Sequence, residues 1–262
     1  MSNFAAAGTL RKDMTEHDLE PQLAANRRYW TGWAGPDGAG DPGGDLPIYR
    51  TDIAYPLLNG VLRVRNQPLD QAFDTAKQRL AGSAWAWWVG ADSDEGTAEG
   101  LLALGSTQIA DLPIMAIDIT RLPGFEPPAG LQTRPVAGRA EITEYVGTYA
   151  GPLGIEGDLG LVVDRELDFA YSDVVRLAAF VDDRIVGTCT LSLGTEVAAL
   201  YCIATDPAFR RRGIATELTL VALRVARAAG HRIATLQSTP EGEPVYRRIG
   251  FETVSRYRVF AF

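Results

Sequence analysis

Asp206-Pro207-Ala208-Phe209-Arg210-Arg211-Arg212-Gly213-Ile214-Ala215 is the stretch that decides the fold of this chain. Residues 197–203 ahead of it are an apolar run of strand length, and residues 216–229 behind it have helical spacing. Three arginines, a glycine and a small residue therefore fall where a helix begins. A helix start exposes unpaired N–H groups and the positive end of the dipole. That is an anion site, best suited to phosphate. Gly213 carries no Cβ and lets a ligand approach the backbone. Adjacent arginines can also be solvated surface or a face for an acidic partner. The glycine and the helix start favour the phosphate of a cofactor.

The chain has 262 residues, enough for one large domain or two small ones, and 46% of them are hydrophobic, as in globular proteins. No apolar run approaches the roughly 18–20 residues that span a bilayer. Residues 1–10 are apolar but short and lack a basic lead, so no signal peptide is expected. Both absences lead us to expect a cytoplasmic protein without a membrane partner. The net charge of −8 lies mostly in residues 1–130 and argues against a nucleic-acid partner. Cys189 and Cys202 belong to no CxxC pair or histidine cluster, so no metal site is expected. They read as a reduced, buried pair on strands flanking a turn near Thr195. Of the two histidines, His17 and His231, the second follows Gly230 at a helix end. No G-x-S-x-G nucleophile elbow is present.

Residues 18–33 read as a helix. Residues 35–44, dense in Gly, Asp and Pro, read as a solvated linker or a lid. A strand or two follows at 54–64, then a helix at 68–80, a buried strand at 85–89 and a short helix reaching Leu104, with Ser93 or Asp94 as its cap. Residues 114–119 form a strand. Residues 122–130 (Leu-Pro-Gly-Phe-Glu-Pro-Pro-Ala-Gly) break both helix and strand and form a stiff linker between residues 1–121 and 131–262. In the second half, strand 131–136 and helix 140–149 lead to a glycine-rich loop at 151–160. A hairpin spans 174–181 and 185–193, and strand 197–203 leads into the arginine loop and its helix. Strand 233–237, helix 244–249 closed by Gly250, and strand 251–260 complete the chain.

This order resembles the GCN5-related N-acetyltransferase (GNAT) superfamily across almost all of residues 131–262. Arg210-x-x-Gly213-x-Ala215 matches its pyrophosphate motif, and Tyr246-x-x-x-Gly250-Phe251 resembles its C-terminal element. The resemblance implies an α/β (α+β) fold with a mixed, mostly antiparallel sheet flanked by helices. That sheet would splay between strands 197–203 and 233–237, and acetyl-CoA would lie in the split. Arg210, Arg211, Arg212, Gly213, Ile214, Ala215 and Thr216 would hold the pyrophosphate and outer phosphates. Backbone groups at Cys202, Ile203 and Ala204 would pair with the pantetheine arm, and one strand N–H would polarise the thioester carbonyl.

The activity implied is acetyl transfer to a primary amine of a small molecule, by direct attack in a ternary complex. Tyr246 would be the general acid for the leaving thiolate or would pack beside the cofactor. The base is less plain. Ala199 stands where some relatives carry a glutamate. Glu196 is the nearest acid, as a base or as a solvated turn carboxylate, and Glu241 and Glu243 are further candidates. Use of another acyl-CoA, a protein amine as acceptor, and an acyl-CoA sensor without turnover stay open. Residues 46–120 resemble, by order alone, a degenerate second copy of the fold. The helix at 68–80 follows Arg63-Val64-Arg65-Asn66-Gln67 and has no glycine before it. Tyr55, Trp85, Trp87 and Trp88 would then wall the acceptor pocket or pack in the core.

Overall fold

The apolar runs at 184–192 and 198–205 are buried along nearly their whole length, as strands covered on both faces are. The computed structural model describes residues 14–34, 38 and 40–262, so residues 1–10 lie outside the described residues. The first half contains α1 (Leu19–Gly32), β1 (Ile48–Arg50), β2 (Asn59–Val61), α2 (Leu69–Arg79), β3 (Ala86–Val89), α3 (Thr97–Ala103) and β4 (Thr107–Asp118). The second half contains β5 (Gln132–Pro135), α4 (Gly138–Ala150), α5 (Leu159–Leu167), β6 (Val174–Val181), β7 (Arg184–Ser192) and β8 (Ala198–Thr205). It continues through α6 (Ile214–Ala228), β9 (Ile233–Gln237), α7 (Glu243–Ile249) and β10 (Glu252–Ala261).

Most expected elements form. Residues 54–64 yield a 3-10 turn at Pro56–Leu58 and the short β2 rather than a longer strand. Gly96, at φ 78°, caps α3 in place of Ser93 or Asp94. Helix α5 starts inside the segment expected to be loop, where glycines flank its first turn. Asp158 caps it by accepting the Gly160 N–H at 2.9 Å, and Val162, Val163 and Glu166 face inward.

All ten strands form one sheet in the order β1-β2-β3-β10-β4-β9-β8-β7-β6-β5. Outward from the β10/β4 pair the order matches for three strands, β3, β2 and β1 on one side and β9, β8 and β7 on the other, and β6 and β5 extend the second side alone. The two parallel pairs among the described strands, β2/β3 and β8/β9, occupy matching places. A helix crosses between the strands of each pair, as parallel pairing requires. The last strand of each half is inserted into the other half's side of the sheet. Strand β4 pairs with β9, and β10 pairs with β3. Residues 122–130 therefore connect halves that share a sheet rather than two separate sheets.

The sheet divides the core. On one face Tyr145 and Tyr149 of α4 and Tyr29 and Trp33 of α1 pack over Ala199 and Tyr201. On the other, Leu218 and Ala222 of α6 and Tyr246 of α7 pack over Leu200 and Leu236. In the first half Ala72 and Ala76 of α2 and Leu101 of α3 cover Val61 and Trp87. Trp85 and Trp87 belong to this core, and Trp88 is buried in a separate cluster with Leu23, Tyr49 and Tyr257.

Candidate active site

Strands β8 and β9 pair only from Ala198 to Leu200, against Ala234 to Leu236. Beyond Leu200 the two strands part, and β8 continues to Thr205 without a β9 partner. Its backbone groups on that edge are open to a ligand. A bulge sits at the parting. The β7/β8 register shifts between Thr188 and Thr190, and Cys202 takes a left-handed φ of 48°. The Thr188 hydroxyl holds the bulge by donating to the Cys202 carbonyl at 2.7 Å. Bulges re-aim strands beside active sites, and a positive φ away from glycine stores strain that the surrounding contacts must hold.

A cleft of about 900 Å³ opens where the strands part. Ile203 and Ala204 form one side. Arg210, Arg211, Gly213, Ile214, Ala215 and Thr216 form its base, and Tyr246 stands opposite. Arg211 and Gly213 both have left-handed backbones, with φ of 62° and 80°. The Glu217 N–H is bonded to the Gly213 carbonyl at 3.0 Å, the first regular helix bond of α6. The amides ahead of it face the cleft at the positive end of the dipole. Gly213 is constrained twice. A Cβ there would stand 3.3 Å from the Phe125 ring and 3.5 Å from Pro128, besides meeting the positive φ. The linker between the halves is thus packed against the loop, a contact that no sequence motif announces.

Arg210, Arg211 and Arg248 line the cleft, and none forms an ion pair among the described residues. Arg212 is outside the lining. Its guanidinium lies 5.1 Å over the Phe209 ring and bonds to the Ala208 carbonyl at 3.4 Å. The Cys202 side chain also leaves the cleft. Its Sγ lies 3.6 Å from Tyr29 Oη in the core, and burial pushes the thiol up to about 12. Only the Cys202 backbone can serve a ligand. Cys189 is buried and free as well.

Tyr246 is 7% exposed, and its ring meets Phe251 edge-on at 5.9 Å. Burial, aided by Cys189, pushes the phenol above its ordinary pKa. The hydroxyl therefore keeps its proton at neutral pH. Glu196 does not join it. It lies in the turn ahead of β8, seven residues before Ile203, and extended chain places it roughly 20 Å from the open end of β8. Its carbonyl meets His231 Nδ1 at 3.4 Å instead. Ala199 is buried in the core and offers no base. Glu243 is held by Arg247 at 2.6 Å, and Glu241 lines the cleft.

Of the two glycine-rich segments, 151–160 reaches the cleft through Pro152 and Leu153. Tyr55 of the first half donates to the Leu153 carbonyl at 2.8 Å. The other segment does not reach it. Residues 35–37 and 39 lie outside the described residues. Gly38 and Gly40 bond along β1, and Gly43 and Gly44 accept from Arg63. Strand-edge pairing fixes that segment on the far side of the sheet order. Among the described residues no cluster of metal-ligating side chains occurs, and no helix is long and apolar enough to cross a membrane.

Residues 153–251 match the family model described as Acetyltransferase (GNAT) family. No curated protein matches the chain in sequence. Among solved structures, a GCN5-related N-acetyltransferase from Kribbella flavida is similar at TM-score 0.68 and 17% identity, over 95% of this chain and 96% of that one. A tandem GNAT protein from the clavulanic acid biosynthesis pathway is similar at TM-score 0.59 and 14% identity, over 95% and 96%. A GCN5-related N-acetyltransferase from Sphaerobacter thermophilus is similar at TM-score 0.56 and 20% identity, over 74% of this chain and 64% of that one. These likenesses are of fold. The second half thus carries a segment that matches the Acetyltransferase (GNAT) family model, and the chain as a whole shares the fold of these structures.

Proposed function

We propose that the cleft between β8 and β9 holds acetyl-CoA and that the protein transfers the acetyl group to a primary amine of a small molecule. The observation that carries this reading is the coincidence of three features at one opening. These are a parted strand edge, a left-handed loop at a helix start, and a protonated, buried tyrosine. The donor set fits the group. Amides from Arg211 to Thr216 suit a pyrophosphate, Arg210 and Arg248 suit the remaining phosphate charge, and the β8 edge suits the amides of a pantetheine arm. When bound, acetyl-CoA supplies an activated acyl thioester.

The chain's own residues then orient and shield. The β8 edge aligns the arm, and Phe125 and Pro128 keep the loop in its left-handed form. Tyr246 Oη presents a proton toward the opening. Burial makes its complete loss costly, so the hydroxyl acts as a hydrogen-bond donor that yields its proton only as negative charge builds before it. Glu241 is the carboxylate at the opening, and no described side chain is placed as a buried base for the amine.

Residues 1–121 serve as a degenerate copy of the fold, joined through 122–130 to the cofactor-binding residues 131–262. The matching order of three strands on either side of the β10/β4 pair supports this, and so does the filled opening of the β2/β3 pair. A thiol-release assay with acetyl-CoA against an amine panel tests the function. Thiol release with an amine supports transfer. Tight acetyl-CoA binding with no release across the panel leaves a sensor.

A further inference from the structure

The peptide between Cys202 and Ile203 is oriented by a residue outside the cleft. Strand β7 pairs Thr188 with Ala204 and Thr190 with Tyr201. Two residues of β8, Cys202 and Ile203, therefore stand opposite the single Cys189 of β7, which is the geometry of a bulge. Cys202 meets the extra length with its φ of 48°, a value uncommon for a residue that carries a Cβ. Its carbonyl accepts from the Thr188 hydroxyl at 2.7 Å. A trans peptide is planar, with the carbonyl and the following N–H pointing in opposite directions. Turning the Cys202 carbonyl toward β7 thus turns the Ile203 N–H away from it, to the side where β9 has parted. Ile203 lines the cleft on that side.

Three contacts grip the bulge from behind. Thr188 holds the carbonyl. Tyr145 Oη of α4 meets the Thr190 hydroxyl at 2.9 Å, and Tyr29 Oη of α1 lies 3.6 Å from Cys202 Sγ. Thr188, Thr190, Tyr145 and Tyr29 are all buried, and none of them lines the cleft. The tyrosine contacts fix the neighbouring strand and the thiol. Of the three, the Thr188 bond alone fixes the peptide plane.

We propose that Thr188 is a positioning residue for acyl transfer, whose hydroxyl holds the Cys202–Ile203 peptide so that the Ile203 N–H is aimed at the thioester carbonyl. This inference rests on the reading of the cleft as an acetyl-CoA site. A donor fixed in advance polarises the carbonyl without having to reorganise as charge develops. Valine has the shape of threonine without its hydroxyl, so Thr188→Val keeps the packing and releases the peptide. Serine keeps the hydroxyl.

The test reads the resonance of carbonyl-13C-labelled acetyl-CoA bound to the full chain. A hydrogen bond to the carbonyl oxygen draws electron density from the carbon and moves its resonance downfield. The wild type and Thr188→Ser should show this shift relative to free acetyl-CoA. Thr188→Val should bind acetyl-CoA with wild-type affinity and lose the shift, which a packing role alone would not do. A full shift in Thr188→Val, or none in the wild-type complex, would overturn the proposal and leave the cofactor site standing. Failure of the wild type to bind acetyl-CoA would remove the reading of the cleft and the proposal with it. Where Thr188→Val does not fold, the 15N-labelled wild type decides. Its Ile203 N–H resonance should move downfield with acetyl-CoA and not with CoA, which lacks the thioester carbonyl. An Ile203 resonance that responds alike to both would overturn the proposal.

Discussion

Two parallel strand pairs part in this molecule, β2/β3 in the first half and β8/β9 in the second, and they treat the opening differently. Beyond Leu200, β8 leaves a cleft whose lining arginines form no ion pair among the described residues and whose floor is the loop at the start of α6. Beyond Val61, β2 leaves a space filled by protein. The Asp94 N–H bridges to the Val64 carbonyl at 2.9 Å, across the place where a ligand would enter. Arg63 bonds to the Gly43 and Gly44 carbonyls. Arg27 contacts Asp92, and Arg63 approaches the same carboxylate at 3.6 Å, all three side chains being at most 4% exposed. Burial pushes Asp92 up and Arg63 down, and the contacts of opposite charge oppose both shifts. The comparison teaches that one parallel pair closes its opening with buried ions of its own, while the other leaves a cleft that the proposed function assigns to a cofactor.

The largest effect should come from emptying the filled side. Asp92→Ala leaves two buried guanidinium groups without their shared carboxylate. A loss of about 3–5 kcal/mol in denaturant unfolding is expected. A loss below about 1 kcal/mol would show that the ions do not hold the first half closed. On the open side, Tyr246→Phe removes the proton donor and keeps the ring. Turnover should fall about a hundredfold, with acetyl-CoA affinity unchanged in a binding titration. Turnover at the wild-type level would leave Tyr246 as packing.

Tyr55 reaches the cleft wall from the first half through a single bond, so its effect is smaller and indirect. Tyr55→Phe deletes one hydrogen bond to Leu153, worth about 1 kcal/mol. The acceptor KM should rise about fivefold while kcat and the thiol-release background stay level. A change in kcat alone would argue against a role in holding the cleft wall.

The smallest expected effect concerns His231, which is 2% exposed beside Glu196. Burial lowers its pKa below the ordinary value. The unfolded chain then binds the proton more readily, so stability is complete above about pH 6.5 and declines as the pH falls through the lowered folded value. Tm should drop between about pH 7 and pH 5, less so in His231→Asn. Identical pH profiles for the two proteins would remove this assignment.

Local chemistry made much of the second half legible. The glycine and small residue after three arginines mark the start of α6, and the Asp182-Asp183-Arg184 turn marks the β6/β7 hairpin. Helix α5 was hidden because Gly157 and Gly160 resemble loop, and only the Asp158 cap and the Val162/Val163 pair signal it. What the sequence concealed is non-local. The insertion of β4 beside β9 and of β10 beside β3 depends on pairings more than a hundred residues apart. Phe125 against Gly213 and Tyr29 on Tyr201 are likewise contacts between distant parts of the chain. Glu196 was close to the site in sequence and distant in space, because an extended strand carries the chain away quickly.

The central claim is one open, cofactor-binding half and one filled half. The most direct measurement is the stoichiometry of acetyl-CoA binding by calorimetry, for the wild type and for Gly213→Val. The valine meets a positive φ and the Phe125 ring at once. One molecule bound per chain, and none by the variant at concentrations that saturate the wild type, is the predicted result. Two molecules per wild-type chain, or one retained by Gly213→Val, would contradict it.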